Sequence, residues 1–241
     1  MAAPTIPKGS LVLVTGATGF VAAHIIKAFL AHGYKVRGTV RDTTKASWLV
    51  TDVFRAYAER GDLELAVVPD LAAPHAWDEA VKGVAAIAHV ASVVTLDTDP
   101  AKVIPQTVLG ATSIMDAALK EPPVKEFVYT SSIVASVMQV VGLDAHVSKD
   151  SWNDAAVKMA WDPATKSGGV VYMASKVEAE KAVWKFVEEK NPHFGVNSVC
   201  PSTIMGEPLH ESHLKTGSAW LKQLVDKKLD NLMWTPAREF S

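Results

Sequence analysis

The sequence predicts an α/β protein built on a doubly wound parallel sheet. Three observations predict it. Short apolar runs stop abruptly at small or polar residues, helical stretches fill the intervals between them, and a glycine-bearing loop separates the first run from the first helix.

The first run, Leu11 to Val14, is unbroken and ends at Thr15-Gly16, as a strand buried on both faces does. Val21 to His32 reads as a helix closed by Gly33, and Tyr34 to Val40 supplies a second strand, so the opening segment is one βαβ unit. Further helices are predicted over Lys45 to Arg60, Ala76 to Val81, Pro100 to Lys120, Val171 to Lys190 and Ser218 to Lys227. Strands are predicted over Leu63 to Val68, Ala85 to His89, Glu126 to Thr130 and Gly195 to Cys200, which makes six in all. Right-handed crossovers then place the ligand crevice outside the carboxyl ends of the strands.

At 241 residues, 49% of them hydrophobic, the chain can bury the core of one large domain with a small appendage. A formal charge of -2 provides no basic footprint for nucleic acid or an anionic membrane. The single cysteine, Cys200, rules out an internal disulfide and sits in no zinc-ligand spacing, so no metal is expected and a reducing, cytoplasmic setting fits best. No targeting segment is visible near Met1.

The loop Thr15-Gly16-Ala17-Thr18-Gly19-Phe20-Val21-Ala22 carries the first chemistry. Gly16 permits a tight turn, Gly19 lets backbone approach a pyrophosphate, and Ala22 is small enough for close helix-to-strand packing. The helix that follows offers free N–H groups and a positive dipole end to phosphates. Between a strand and a helix this reads as a dinucleotide-binding loop; the competing reading is a turn that needs only positive φ. At the end of the second strand, Arg37, Arg41 and Lys45 surround one acid, Asp42, placed where it could instead accept a ribose 2′-hydroxyl. Three cations against one acid favour NADP(H), although Arg37 also reads as a solvated strand-end charge.

Asp70-Leu71 and His89-Val90-Ala91-Ser92 close the third and fourth strands, and the small Ala91 and Ser92 suit a backbone passing close to a flat cofactor. His89 reads as a structural group. The fifth strand ends in Ser131-Ser132, and forty residues beyond Ser132 comes Tyr172, with Lys176 four residues on, sharing one helix face. A free phenol titrates at about 10 and exchanges protons poorly at neutral pH; a neighbouring cation, here Lys176, is expected to lower it. A serine hydroxyl opposite would polarise a substrate carbonyl.

These motifs resemble the extended short-chain dehydrogenase/reductase superfamily, and within it the fungal and plant group of methylglyoxal and aldehyde reductases and dihydroflavonol reductases. The resemblance runs through Gly38-Thr39-Val40-Arg41, Ile87 to Ser92, Asp99-Pro100, Ile104-Pro105, Gly110-Ala111-Thr112, Thr130-Ser131-Ser132, Trp152-Asn153 and Tyr172 to Glu180. It implies a catalytic Ser132, Tyr172 and Lys176, with Ser131 as the alternative serine. It implies cofactor contacts from Gly16, Thr18, Gly19, Phe20, Val21, Arg41, Lys45, Asp70, Leu71, Val90, Ala91, Ser92, Pro201 and Thr203, joined by Tyr172 and Lys176. Two features depart from the family: Ala22 stands where a third glycine is usual, and the family runs on well beyond Ser241. Residues 1–204 are thus read as an NADP-binding Rossmann domain, and 205–241, with Trp220 and Trp234, as the start of a short, incomplete C-terminal substrate lobe.

The resemblance implies NADPH-dependent reduction of an aldehyde or ketone, with Tyr172 as proton donor and a small-molecule carbonyl compound as substrate. The alternatives are an NAD-dependent nucleotide-sugar epimerase or dehydratase, and a non-catalytic dinucleotide-binding protein. Val94, Val134, Met138, Trp152 and Met205 are candidate lining for an apolar substrate cavity, though apolar side chains are core by default. Oligomeric state is left open.

Overall fold

A computed structural model describes residues 5–93, 95–138, 142, 144–215 and 225–226. Strands β1 (Leu11–Val14), β2 (Lys35–Val40), β3 (Leu63–Val67), β4 (Ala86–His89), β5 (Glu126–Thr130) and β6 (Gly195–Val199) form one sheet in the order β3-β2-β1-β4-β5-β6. Every pairing is parallel, with Val12 opposite Val36 on one side and Ala86 on the other. The strand order reverses between β1 and β4, so the crevice of a doubly wound sheet falls at their carboxyl ends.

Period-two alternation divides the core. Leu13 and Ile87 face a cluster with Phe127, Tyr129, Ile114 and Val183, built on helices α3 (Pro100–Ala118) and α5 (Gly168–Lys190). Val12, Val14, Ala86 and Ala88 face the opposite cluster, with Ile26 and Leu30 of helix α1 (Phe20–Ala31). Ala22 is 1% exposed within that layer, so its extra methyl is absorbed by the packing.

Helices α3 and α5 begin at side-chain caps, Asp99 and Ser167, and Asn153 caps a shorter helix, α4 (Asp154–Ala160). Helix α1 begins at Gly19 with no side-chain cap, which leaves its first N–H groups facing the crevice.

Three predicted elements are corrected and one helix, α4, is added. Lys45 to Arg60 is not one helix: Leu49–Val53 forms a wide turn, and a short helix α2 (Arg55–Glu59) follows. Leu49 and Phe54 are buried there, and β-branched Val50, Thr51 and Val53 disfavour regular helix between them. Ala76 to Val81 is a series of turns following His75, whose φ is 61°. Buried Trp77 anchors it, its indole N–H donating to Leu71 O at 3.1 Å and Ser113 Oγ at 3.0 Å. Helix α5 starts at Gly168 rather than Val171, because the Ser167 cap outweighs the poor propensity of two glycines. Helix α4 had no strong apolar period to announce it. The predicted helix Ser218 to Lys227 lies outside the described residues, except for Val225 and Asp226, as do Trp220 and Trp234.

Candidate active site

A cleft of about 860 Å³ opens at the carboxyl ends of the strands. Its floor is the glycine loop. Gly16 has φ 70°, and a Cβ there would lie 3.1 Å from Ala91 Cβ, so loop and β4 end meet with no room for a side chain. The Gly16 N–H donates to Thr39 Oγ1 at 3.0 Å, and the Ala17 N–H to Thr39 O at 2.8 Å, which moors the loop to β2. Behind it, a Cβ on Gly38 would sit 2.9 Å from Ala17 Cβ, so β2 also needs a glycine at the point of contact.

Thr15 ties the loop to β4. Its Oγ1 accepts the N–H groups of Val90 and Ala91, each at 2.9 Å, and lies 3.0 Å from His89 Nδ1. His89 is wholly buried, and desolvation lowers its pKa to about 4, so it is a neutral structural group, as the sequence indicated. Thr15 and Thr39 position the loop through long-range contacts that the sequence alone does not reveal.

The structure brings Gly16, Thr18, Gly19, Phe20, Val21, Arg41, Asp70, Leu71, Val90, Ala91, Ser92, Ser132, Tyr172, Lys176, Pro201 and Thr203 to the lining of this one cleft. Lys45 is not among them. Its backbone N–H and that of Thr44 donate to Asp42 Oδ1 at 3.3 and 2.8 Å, so Asp42 closes its own turn and also stays off the lining. Arg37 is also elsewhere. It pairs with Leu13 in mid-strand, roughly 13 Å of extended chain short of Arg41. Its guanidinium is bound to Glu64 at 2.6 Å and to Ala80 O and Lys82 O at 2.9 and 2.7 Å. Of the three cations counted in the sequence, only Arg41 lines the cleft.

Ser131 and Ser132 separate by direction. The Ser131 hydroxyl donates to the buried Glu180 carboxylate, whereas the Ser132 hydroxyl lies by the Tyr172 phenol and draws its pKa down against the effect of burial. Lys176, 4% exposed, donates from Nζ to Ser92 Oγ at 3.1 Å and lies 6.0 Å from the Tyr172 ring centroid. Burial lowers its pKa to about 8, against the opposing pull of Glu180 and Cys200. The expected lowering of the Tyr172 phenol by Lys176 is not found: burial raises it, and the Ser132 hydrogen bond opposes that rise.

Of the candidate pocket residues, Val134, Met138, Trp152 and Met205 do not line the cleft. Met205 is 56% exposed, and Val94 lies outside the described residues. Past Thr203 the chain turns back to the glycine loop, where a 3₁₀ segment, Glu211–Lys215, sets His213 Nε2 3.2 Å from Thr18 O. Among the described residues no cluster of His, Cys, Asp and Glu could hold a metal ion, and no helix is long and apolar enough to cross a membrane.

A dinucleotide fits these residues. The loop admits backbone but no side chain, the uncapped start of α1 faces the cleft with free N–H groups, and Arg41 places one cation at the β2 end.

A doubly wound parallel sheet with a serine, a tyrosine and a lysine converging beside its glycine loop defines an extended short-chain dehydrogenase/reductase. The chain belongs to the NAD dependent epimerase/dehydratase family, whose model matches residues 12–240. It is 40% identical over 219 residues to the NAD-dependent epimerase/dehydratase terH of Aspergillus terreus, covering 90% of this chain and 64% of the relative. It is 40% identical over 227 residues to aldehyde reductase 2 of Sporidiobolus salmonicolor, covering 92% and 65%. Yeast methylglyoxal/isovaleraldehyde reductase Gre2, complexed with NADPH, superposes with a TM-score of 0.77 at 28% identity, over 90% of this chain and 66% of that one. The chain thus spans just under two thirds of the length of these curated relatives.

Proposed function

We propose that this protein reduces an aldehyde or ketone to an alcohol with NADPH. The observation that carries the reading is the convergence of Ser132, Tyr172 and Lys176 on the wall of a cleft whose floor is the glycine loop. The likeness to aldehyde reductase 2 and to NADPH-bound Gre2 supports it. Gly16, Gly19 and the start of α1 would hold the pyrophosphate, Arg41 the 2′-phosphate, and Ala91, Ser92 and Lys176 the nicotinamide half. When bound, the cofactor supplies the hydride.

The chain's own residues account for the proton. Because burial raises the Tyr172 phenol, it is held protonated at neutral pH, ready to give its Oη proton to a carbonyl oxygen as negative charge develops there. Ser132 adds a second hydroxyl at the same oxygen and orients it. The Lys176 ammonium, buried 6.0 Å from the Tyr172 ring centroid, would offset the negative charge left on the phenolate and so ease the departure of its proton. Residues 205–241 would open the lobe that covers the substrate.

The test is NADPH consumption across a panel of aldehydes and ketones, with Tyr172→Phe alongside. Tyr172→Phe should bind NADPH as the parent does and lose turnover; turnover retained in that variant would sink the assignment. The family description and the terH likeness favour a second reading, an epimerase or dehydratase that keeps its cofactor through the cycle. That reading expects NAD to co-purify with the protein and no net consumption of NADPH.

A further inference from the structure

One buried carboxylate has no part in the chemistry above. Glu180, on α5, is 6% exposed and lies two turns beyond Tyr172 and one beyond Lys176 on the same helix face. It accepts the hydroxyl of Ser131 and, at 2.7 Å, that of Ser198, while the Cys200 thiol lies 3.5 Å from its second oxygen. Among the described residues it has no salt-bridge partner. A carboxylate is expensive to bury, and here each of its oxygens accepts a serine hydroxyl, Oε2 that of Ser131 and Oε1 that of Ser198, which a glutamine with one acceptor oxygen could not do.

Two consequences follow from its position. Ser131 follows β5 and Ser198 lies in β6, so one side chain of α5 fastens both strands at the end where the cleft opens. With Ser132 in extended backbone (φ -157°), successive side chains point opposite ways, so fixing Ser131 on Glu180 directs Ser132 toward Tyr172. The second consequence is electrostatic. The titratable groups around Lys176 are Tyr172 and Glu180 on α5, His89 on β4, Tyr129 on β5 and Cys200 after β6. The carboxylate of Glu180 is the strongest of them in favouring the ammonium form, working against desolvation.

We propose that Glu180 is a positioning residue of the active site: it locks the ends of β5 and β6 to α5, and its buried negative charge keeps Lys176 an ammonium beneath Tyr172. This deepens the reductase reading and rests on it for its catalytic meaning. The charge relationship between Glu180 and Lys176 does not depend on turnover.

The test follows the lysine directly. In protein carrying ¹³C-labelled lysine, the ε-carbon of Lys176, assigned by its loss in Lys176→Met, is titrated by NMR in the parent chain and in Glu180→Gln. The midpoint should fall in Glu180→Gln by about one pH unit or more, a tenfold change in acidity constant, and return most of the way in Glu180→Asp. An unchanged midpoint in folded Glu180→Gln overturns the proposal. Should Glu180→Gln not fold, Glu180→Asp decides: its carboxylate, one methylene shorter and so farther from Lys176, should leave the midpoint measurably below that of the parent chain. A midpoint equal to the parent's overturns it. Where turnover is measurable, Glu180→Gln should lose kcat toward high pH with KM little changed, a pattern that a general loss of packing would not produce. A null result on the carbonyl panel leaves the NMR outcome intact, so failure of the reductase reading and failure of this one are distinct.

Discussion

Thr15 and His89 are joined through Oγ1 and Nδ1 at 3.0 Å, and the same threonine oxygen accepts the N–H groups of Val90 and Ala91. With two donors aimed at it, the hydroxyl gives its own proton to Nδ1, which leaves the proton of neutral His89 on Nε2. Thr15→Val removes the acceptor of both N–H groups and should destabilise the fold by about 2 to 4 kcal/mol in urea unfolding. It should also weaken dinucleotide binding, since Val90 and Ala91 line the cleft.

The same pair makes the fold sensitive to acid. His89 is lowered from 6.5 to about 4, so its contribution is fully present above pH 6.5 and is lost as pH falls through about 4. The loss amounts to about 3 kcal/mol. Urea midpoints measured from pH 7 down to pH 4 should fall more steeply for the parent chain than for His89→Asn; parallel curves would show that His89 is not the group responsible.

Gly16→Ala should fail at the loop. A Cβ 3.1 Å from Ala91 Cβ, on a residue with φ 70°, strains the backbone by about 1 to 2 kcal/mol. Loop and β4 end would have to part, and affinity for NADPH, followed by fluorescence titration, should fall by more than tenfold.

Lys176 opposes stability in the cause of function. Its pKa is lowered from 10.5 to about 8 by burial, so the folded state gains stability from this group only above that range and is penalised at neutral pH. Lys176→Met should therefore raise stability by about 1 to 3 kcal/mol at pH 7, or several degrees in Tm, while abolishing turnover. A Tm below that of the parent chain would contradict this reading of the buried ammonium.

Arg41 and Lys45 should behave differently, though both count in the sequence among the cations that favour NADP(H). Arg41→Ala should reduce preference for NADPH over NADH by tenfold or more, measured as the ratio of kcat/KM values. Lys45→Ala, off the lining, should leave that ratio within about twofold.

The parts of the site readable in sequence are those written locally. The glycine loop lies between a strand and a helix, the cleft-lining residues follow strand ends, and Tyr172 and Lys176 share a helix face by spacing alone. What could not be read depends on distant segments. Arg37 counts as a free cation until Glu64 and the carbonyls of Ala80 and Lys82 occupy it. Ser131 and Ser132 are equivalent until Glu180 claims one of them. The direction of the Tyr172 shift follows from burial, which no spacing reports. The turns over Ala76 to Val81 look helical until Trp77 is seen bonded to Leu71 and Ser113.

Gly38 has a bearing on redesign. Because a methyl on it would collide with Ala17 Cβ at 2.9 Å, strand β2 and the glycine loop share a single vacancy that neither can fill. Attempts to exchange NADP for NAD by grafting sequence at the end of β2 are thus confined to positions after Gly38. A graft that brings any larger residue to this point would push the loop off the sheet and forfeit both cofactors together. The glycine fingerprint accordingly has a remote member, tied by contact to the loop rather than to the specificity segment beside it.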